Sequence, residues 1–138
     1  MSRILGIDFG SVRVGLSLSD LTQTIAKPFD TLNYKDLDDL LSQLKIVIDN
    51  NQVYELVVGI PFNMKGQDTK QTLKVREFIS FLKKNISIKI RLIDERLSSI
   101  EAEKVMHAMN IKTGHNKGKI DKIAASVILQ EYLDSSHA

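Results

Sequence analysis

The stretch GIDFGSVRVGLSLSD, Gly6 to Asp20, joins two short apolar runs through Gly10 and Ser11. RILGIDF and RVGLSLSD alternate or are rich in β-formers, so with a Gly-Ser turn signal between them they read as an antiparallel hairpin. Asp8 interrupts the first run, between Ile7 and Phe9. A carboxylate inside a strand needs hydrogen bonds, a cation or a metal, because burying it alone costs on the order of several kcal/mol. Either Asp8 accepts backbone N–H bonds from the Gly10-Ser11 turn, as Asx residues do, or it belongs to a site. Gly10 and Ser11 carry the same choice: a tight turn, or backbone N–H groups that approach a phosphate.

Outward from the hairpin, IAKPFDTLNY supplies a third strand, with Pro28 favouring an edge. From Lys35 the apolar spacing becomes helical, with Leu37, Leu40, Leu41, Leu44, Val47 and Ile48 on one face, and Asn50-Asn51 ends the segment. ELVVGIP is a compact run closed by Pro61, suited to a strand buried on both faces. Thr69 to Asn85 is a second helix and ISIKIRLID a fifth strand. Ser98 or Ser99 caps a third helix through Ala102, Val105, Met106 and Met109. Gly114 and Gly118 mark a loop, and KIDKIAASVILQEYLD forms a last helix. The order β-β-β-α-β-α-β-α-α predicts an α/β domain with a mixed five-stranded sheet flanked by helices.

The 138 residues make one domain, 1–138, with one core and so one site. A hydrophobic fraction of 43% with 26% charged residues is the balance of a globular protein rather than a disordered or fibrous one. There is no cysteine, which removes disulfides and thiolate metal sites and fits a reducing cytoplasm. Neither a signal-peptide pattern nor a long apolar run is present, so a cytoplasmic protein without a membrane partner is expected. The net charge of +2 does not announce a nucleic-acid binder, but Lys112, Lys117, Lys119, Lys122 and His115 make one segment locally basic.

Two further acids stand out. LIDERLSS ends an apolar strand in Asp94 and Glu95, followed by Arg96. These acids either cap the next helix, with Arg96 as counter-ion, or one of them shares a site with Asp8, since neighbours on a strand face opposite ways. Asp121 lies near the start of the last helix, and Ala124 and Ala125 beyond it allow that helix close to the sheet. It is either a favourable helix-start acid or a third member of the site. Three carboxylates from opposite ends of the chain are what a divalent ion such as Mg²⁺ or Mn²⁺ needs. Two such ions ~4 Å apart can activate a water and stabilise the leaving oxygen of a phosphodiester.

GIDFGSVRVGLSLSD, LVVGIPFNMKGQ, IDERLSS and DKIAASVILQEYL, in that order, resemble the YqgF/RuvX family of Holliday junction resolvases, now usually described as pre-16S rRNA nucleases. The resemblance spans almost the whole chain. It implies an RNase H-like fold related to RuvC, and a metal-dependent nuclease in which Asp8, Glu95 and Asp121 hold Mg²⁺ or Mn²⁺. Asp94 is then a supporting or capping group.

Other residues are weighed beside that triad. Arg13 contacts a phosphate or pairs with an acid. Asn63 and Gln67, in a loop at the sheet's C-terminal edge where sites in such folds gather, bind substrate or shape the turn. Arg96 steadies Glu95 or meets the scissile phosphate. Lys117 and Lys119 hold a nucleic-acid backbone without reading sequence, or belong to a solvated loop. His107 and His115 lack a metal-ligand pattern. With no Trp, five Phe and three Tyr, base-stacking surface is scarce, which favours structured or double-stranded substrate.

The expected partner is therefore nucleic acid, either structured RNA such as pre-16S rRNA or branched DNA, with the ribosome as a further candidate and the protein a monomer or weak homodimer. A metal-dependent nuclease in ribosomal RNA processing is the first reading. A DNA junction resolvase is the second, and a non-catalytic RNA- or ribosome-binding module the third. DFGS also resembles the first phosphate loop of sugar kinases and actin-like ATPases. Those close two such domains around a nucleotide, which 138 residues cannot supply.

Overall fold

The computed structural model describes residues 2–95 and 117–136. The helix expected through Ala102 and Met109, together with Arg96, Lys112, His107 and His115, lies outside them. Among the described residues a five-stranded sheet is flanked by three helices. In chain order these are β1 (Arg3–Phe9), β2 (Arg13–Ser19), β3 (Ala26–Asn33), α1 (Leu37–Asn50), β4 (Val53–Ile60), α2 (Lys70–Asn85), β5 (Lys89–Asp94) and α3 (Lys117–Ser136).

The hairpin is antiparallel, with Leu5 opposite Leu18 and Asp8 opposite Gly15. β3 adds antiparallel to β2, while β4 pairs parallel with β1 and β5 parallel with β4. The spatial order β3-β2-β1-β4-β5 puts β1 in the centre and the Pro28 strand at an edge, where a missing N–H costs no ladder bond. The β2–β3 connection is fixed by Asp20. Its carboxylate accepts from the backbone N–H of Ile25 at 3.0 Å and of Thr24 at 2.8 Å, and these bonds hold it well below the usual carboxylate range.

Alternation along β1 divides the interior into two cores. Leu5, Ile7 and Phe9 face α1 and α2, among Leu40, Leu44, Val75, Phe78 and Leu82. Ile4 faces the other way, against Ile128, Leu129 and Leu133 of α3. Asp8, four residues from Ile4, falls on the α3 side by the period of two. α1 starts at its N-cap Asp36, which accepts from Asp39 N–H, and α2 starts in a Thr69–Thr72 capping box.

Several boundaries differ by one to three residues from those the sequence predicts, and two of the differences have a visible cause. β5 begins at Lys89 rather than Ile86, because the Ile86 N–H donates to Leu82 O and closes α2. Gly118 is helical rather than in a loop, and its carbonyl accepts the Thr31 hydroxyl of β3. Among the described residues no helix is long and apolar enough to cross a membrane.

Candidate functional site

α3 lies directly on the sheet, and the strands make room for it. A Cβ at Gly15 would overlap the Asp121 carbonyl. Gly15 is also the cross-strand partner of Asp8, so this missing side chain brings Asp121 over the end of β1. Ser17, buried on the same strand, donates to Ala125 O at 2.7 Å, and Gln130 accepts from Ala26 N–H at 2.8 Å. These bonds fix the helix along β2 and β3. Asp121 is the fifth residue of α3, past its first turn.

Glu95 arrives from the other side. Its N–H donates to Ile60 O at 3.1 Å, which continues the β4–β5 ladder one residue beyond β5. A Cβ at Gly59 would lie 2.5 Å from Glu95 Oε2 and 2.6 Å from Ile128 Cδ1. The carboxylate therefore lies over β4 at Gly59, where the absence of a side chain leaves it space.

Asp8, Glu95 and Asp121 consequently sit at the C-terminal end of the parallel strands, on the α3 side, and they sense each other. Burial, then the charge of Asp121, pushes the Asp8 carboxyl up to about 6. Burial, then the charges of Asp8 and Asp94, pushes Glu95 up to about 7. Desolvation and like-charge repulsion both disfavour the ionised form, so the site gains from a cation. The Arg13 guanidinium supplies one: its Nε donates to Asp121 Oδ2 at 2.7 Å. Of its two sequence readings, Arg13 takes the acid-pairing one here.

The donor set is all carboxylate oxygen, the chemistry Mg²⁺ and Mn²⁺ prefer, and in that respect the residues fit such an ion. Among the described residues no three acids stand close enough as placed to enclose one. Asp121 is turned to Arg13 instead.

The other expected residues divide. Asn63 and Gln67 are occupied with their own loop. Asn63 Oδ1 accepts from the N–H groups of Lys65 and Gln67, both at 2.9 Å, and Asn63 Nδ2 donates to Gln67 Oε1 at 3.1 Å. Lys119 is exposed on α3, whose first residue is Lys117. Gly15 and Gly59 escape a search for chemistry-bearing side chains. The available signal was a glycine inside a strand, which often marks close approach of another element.

The match to the family model RuvX, described as Holliday junction resolvase, covers residues 2–135. The chain belongs to the RuvX family. RuvX relatives include a protein of Dictyoglomus thermophilum, 40% identical over 134 residues, covering 97% of this chain and 96% of its own. Another, from Halothermothrix orenii, is 39% identical over 132 residues, covering 96% of this chain and 94% of its own. Both carry the name "Putative pre-16S rRNA nuclease". The RuvX chain also resembles a solved structure of T. thermophilus RuvC in complex with Holliday junction substrate. The TM-score is 0.63 at 11% identity, covering 100% of this chain and 97% of that one. At that identity the likeness concerns the fold, which is RuvC-like and of the RNase H type.

Proposed function

We propose that this RuvX protein is a divalent-metal-dependent nuclease that hydrolyses phosphodiester bonds in structured RNA, acting in maturation of pre-16S rRNA. One observation carries the reading: Asp8, Glu95 and Asp121, from three separate elements, lie toward one end of the sheet, where the charge of Asp121 acts on Asp8 and that of Asp8 on Glu95, with Asp8 and Glu95 pushed up to about 6 and about 7. Acids gathered where their ionisation is costly favour a cation. The names of the RuvX relatives supply the substrate.

Asp8, Glu95 and Asp121 would hold the metal, with Asp94 lending negative charge beside Glu95. A bound Mg²⁺ or Mn²⁺ would supply an activated water and charge neutralisation at the scissile phosphate. Asp8 is fixed by the central strand and Glu95 by the Ile60 bond. Asp121 is fixed by α3, with Arg13 orienting its carboxylate. Rigid placement of this kind is what phosphoryl chemistry requires of a protein. Lys117 and Lys119, at the start of α3, are proposed to meet the nucleic-acid backbone, as is Arg96.

The description of the family model favours a second reading, cleavage of four-way DNA junctions. Symmetric cutting there requires two sites and hence a dimer. The deciding experiment offers purified protein a 5′-extended 16S rRNA precursor and a four-way DNA junction, each with Mg²⁺, Mn²⁺ or chelator. Metal-dependent cleavage of the precursor alone supports the first reading. Cleavage of the junction alone, by a dimer, replaces it with the second.

A further inference from the structure

The Arg76–Asp68 and Arg13–Asp121 pairs are built differently. Arg76 grips Asp68 with two prongs, Nε at 3.1 Å and Nη2 at 3.2 Å. Among the described residues Arg13 reaches Asp121 through Nε alone, at 2.7 Å. Its terminal nitrogens, which make no hydrogen bond to a described residue, keep the planar fork by which a guanidinium takes a phosphate or a carboxylate. The backbone beneath is fixed on both sides. Arg13 O accepts from Gly10 N–H at 2.9 Å, and Arg13 pairs with Asn33 of β3. The two side chains are not sealed in, at 31% exposed for Arg13 and 23% for Asp121. An anion from solvent can reach this guanidinium without moving the sheet.

Asp121 is claimed from two directions. Gly15, two residues from Arg13 on the same face of β2, lets the Asp121 backbone down beside the end of β1, where Asp8 is the partner of Gly15. An ion held by Asp8, Glu95 and Asp121 needs the oxygen lone pairs that Arg13 engages, and the positive guanidinium repels a divalent cation beside it. Guanidinium and metal therefore compete for one carboxylate. A partly buried guanidinium that loses it is left without an anion, which is unfavourable. The backbone phosphate of a nucleic acid is an anion whose oxygens fit the fork.

We propose that Arg13 is an exchange residue: it holds Asp121 in the metal-free protein and passes to a backbone phosphate when a divalent ion takes that carboxylate, so that metal and nucleic acid bind with positive cooperativity. Each ligand removes what opposes the other, and linkage makes the effect reciprocal. Arg13 acts on the ion through Asp121 and is in that sense a positioning residue. The inference rests on the reading of these carboxylates as a metal site, but the competition between Asp121 and phosphate for Arg13 operates without any metal.

The test reads binding rather than cleavage, by fluorescence anisotropy of a labelled RNA hairpin and its DNA counterpart. It compares the full chain as wild type, Arg13→Gln, Asp121→Asn and the double variant. In chelator, Asp121→Asn releases Arg13 and is expected to tighten hairpin binding about tenfold, but less than about twofold when Arg13→Gln is already present. Loss of a negative charge alone would tighten both backgrounds equally. Ca²⁺ should act as Asp121→Asn does, tightening binding about tenfold for wild type and less than about twofold for Arg13→Gln. Where Arg13→Gln unfolds at the assay temperature, the NMR signal of the Arg13 Nε–H in wild type decides, and it should shift when Ca²⁺ and hairpin are added together. Equal tightening in both backgrounds, Ca²⁺ coupling that survives Arg13→Gln, an unmoved Nε–H signal, or wild type that binds neither hairpin with Ca²⁺ present overturns the exchange. Protein that binds as expected yet cleaves nothing with Mg²⁺ or Mn²⁺ fails the nuclease reading and leaves the exchange standing.

Discussion

Asp121 Oδ2 accepts a 2.7 Å hydrogen bond from Arg13 Nε, across 108 residues of sequence. The pair joins the hairpin to α3 and places a positive charge beside carboxylates that repel one another. A charge-assisted bond of this kind contributes about 1–3 kcal/mol. Arg13→Gln should lower the stability of metal-free protein by that amount. Saturating Mg²⁺ or Mn²⁺ should shrink the deficit, because the ion neutralises the same acids. Thermal unfolding of wild type and variant in chelator and in metal checks this. A deficit that metal leaves unchanged would show the ion pair to be a plain helix-to-sheet tether.

Gly59 tests how Glu95 is placed. In Gly59→Ala the added carbon would stand 2.5 Å from Glu95 Oε2 and 2.6 Å from Ile128 Cδ1. Overpacking costs about 1–3 kcal/mol, but the larger effect should be on chemistry, through displacement of the carboxylate. Cleavage should fall at least about tenfold at temperatures where the variant is fully folded. Ile128→Val, added to it, should recover stability more than activity.

Much of this was legible in the sequence. The alternation around Asp8 and the helical spacing from Leu37 onward follow from burial of one face, a local property, and the elements stand where it predicts. The edge position of β3 follows from Pro28 in the same way. What the pattern could not supply was pairing across the fold. Nothing in RVGLSLS says that Arg13 would reach Asp121 rather than a phosphate, because the approach depends on Gly15 letting α3 down onto β2. By residue type Asn63 and Gln67 fit either substrate binding or turn-shaping, and only the folded loop shows that, four residues apart around Gly66, they bond to one another.

The raised carboxyls give a signed pH dependence. Asp8 at about 6 and Glu95 at about 7 lie above the ordinary carboxylate values near 4 that hold in the unfolded chain. The folded protein therefore binds more protons than the unfolded chain across that window. Their contribution is complete below about pH 4 and is lost as pH rises through 6 and 7. In chelator, wild type should lose on the order of 2–4 kcal/mol between pH 5 and 8 relative to Asp8→Asn/Glu95→Gln, less than two independent groups would give because they share one repulsion. Divalent metal should flatten the difference. Denaturant unfolding across pH measures it, and parallel curves for wild type and double variant would contradict it.

The central claim is that Asp8 is kept, at a cost to the fold, for metal-dependent cleavage. It is tested most directly by measuring stability and cleavage together on Asp8→Asn. The account predicts that metal-free Asp8→Asn at pH 7.5 is as stable as wild type or more so by about 1–2 kcal/mol, since an amide removes the buried charge. It also predicts that cleavage with Mg²⁺ or Mn²⁺ falls by about a thousandfold or more. A variant that cleaves at the wild-type rate, or that loses its fold because Asp8 was a structural acceptor at the hairpin turn, would contradict it.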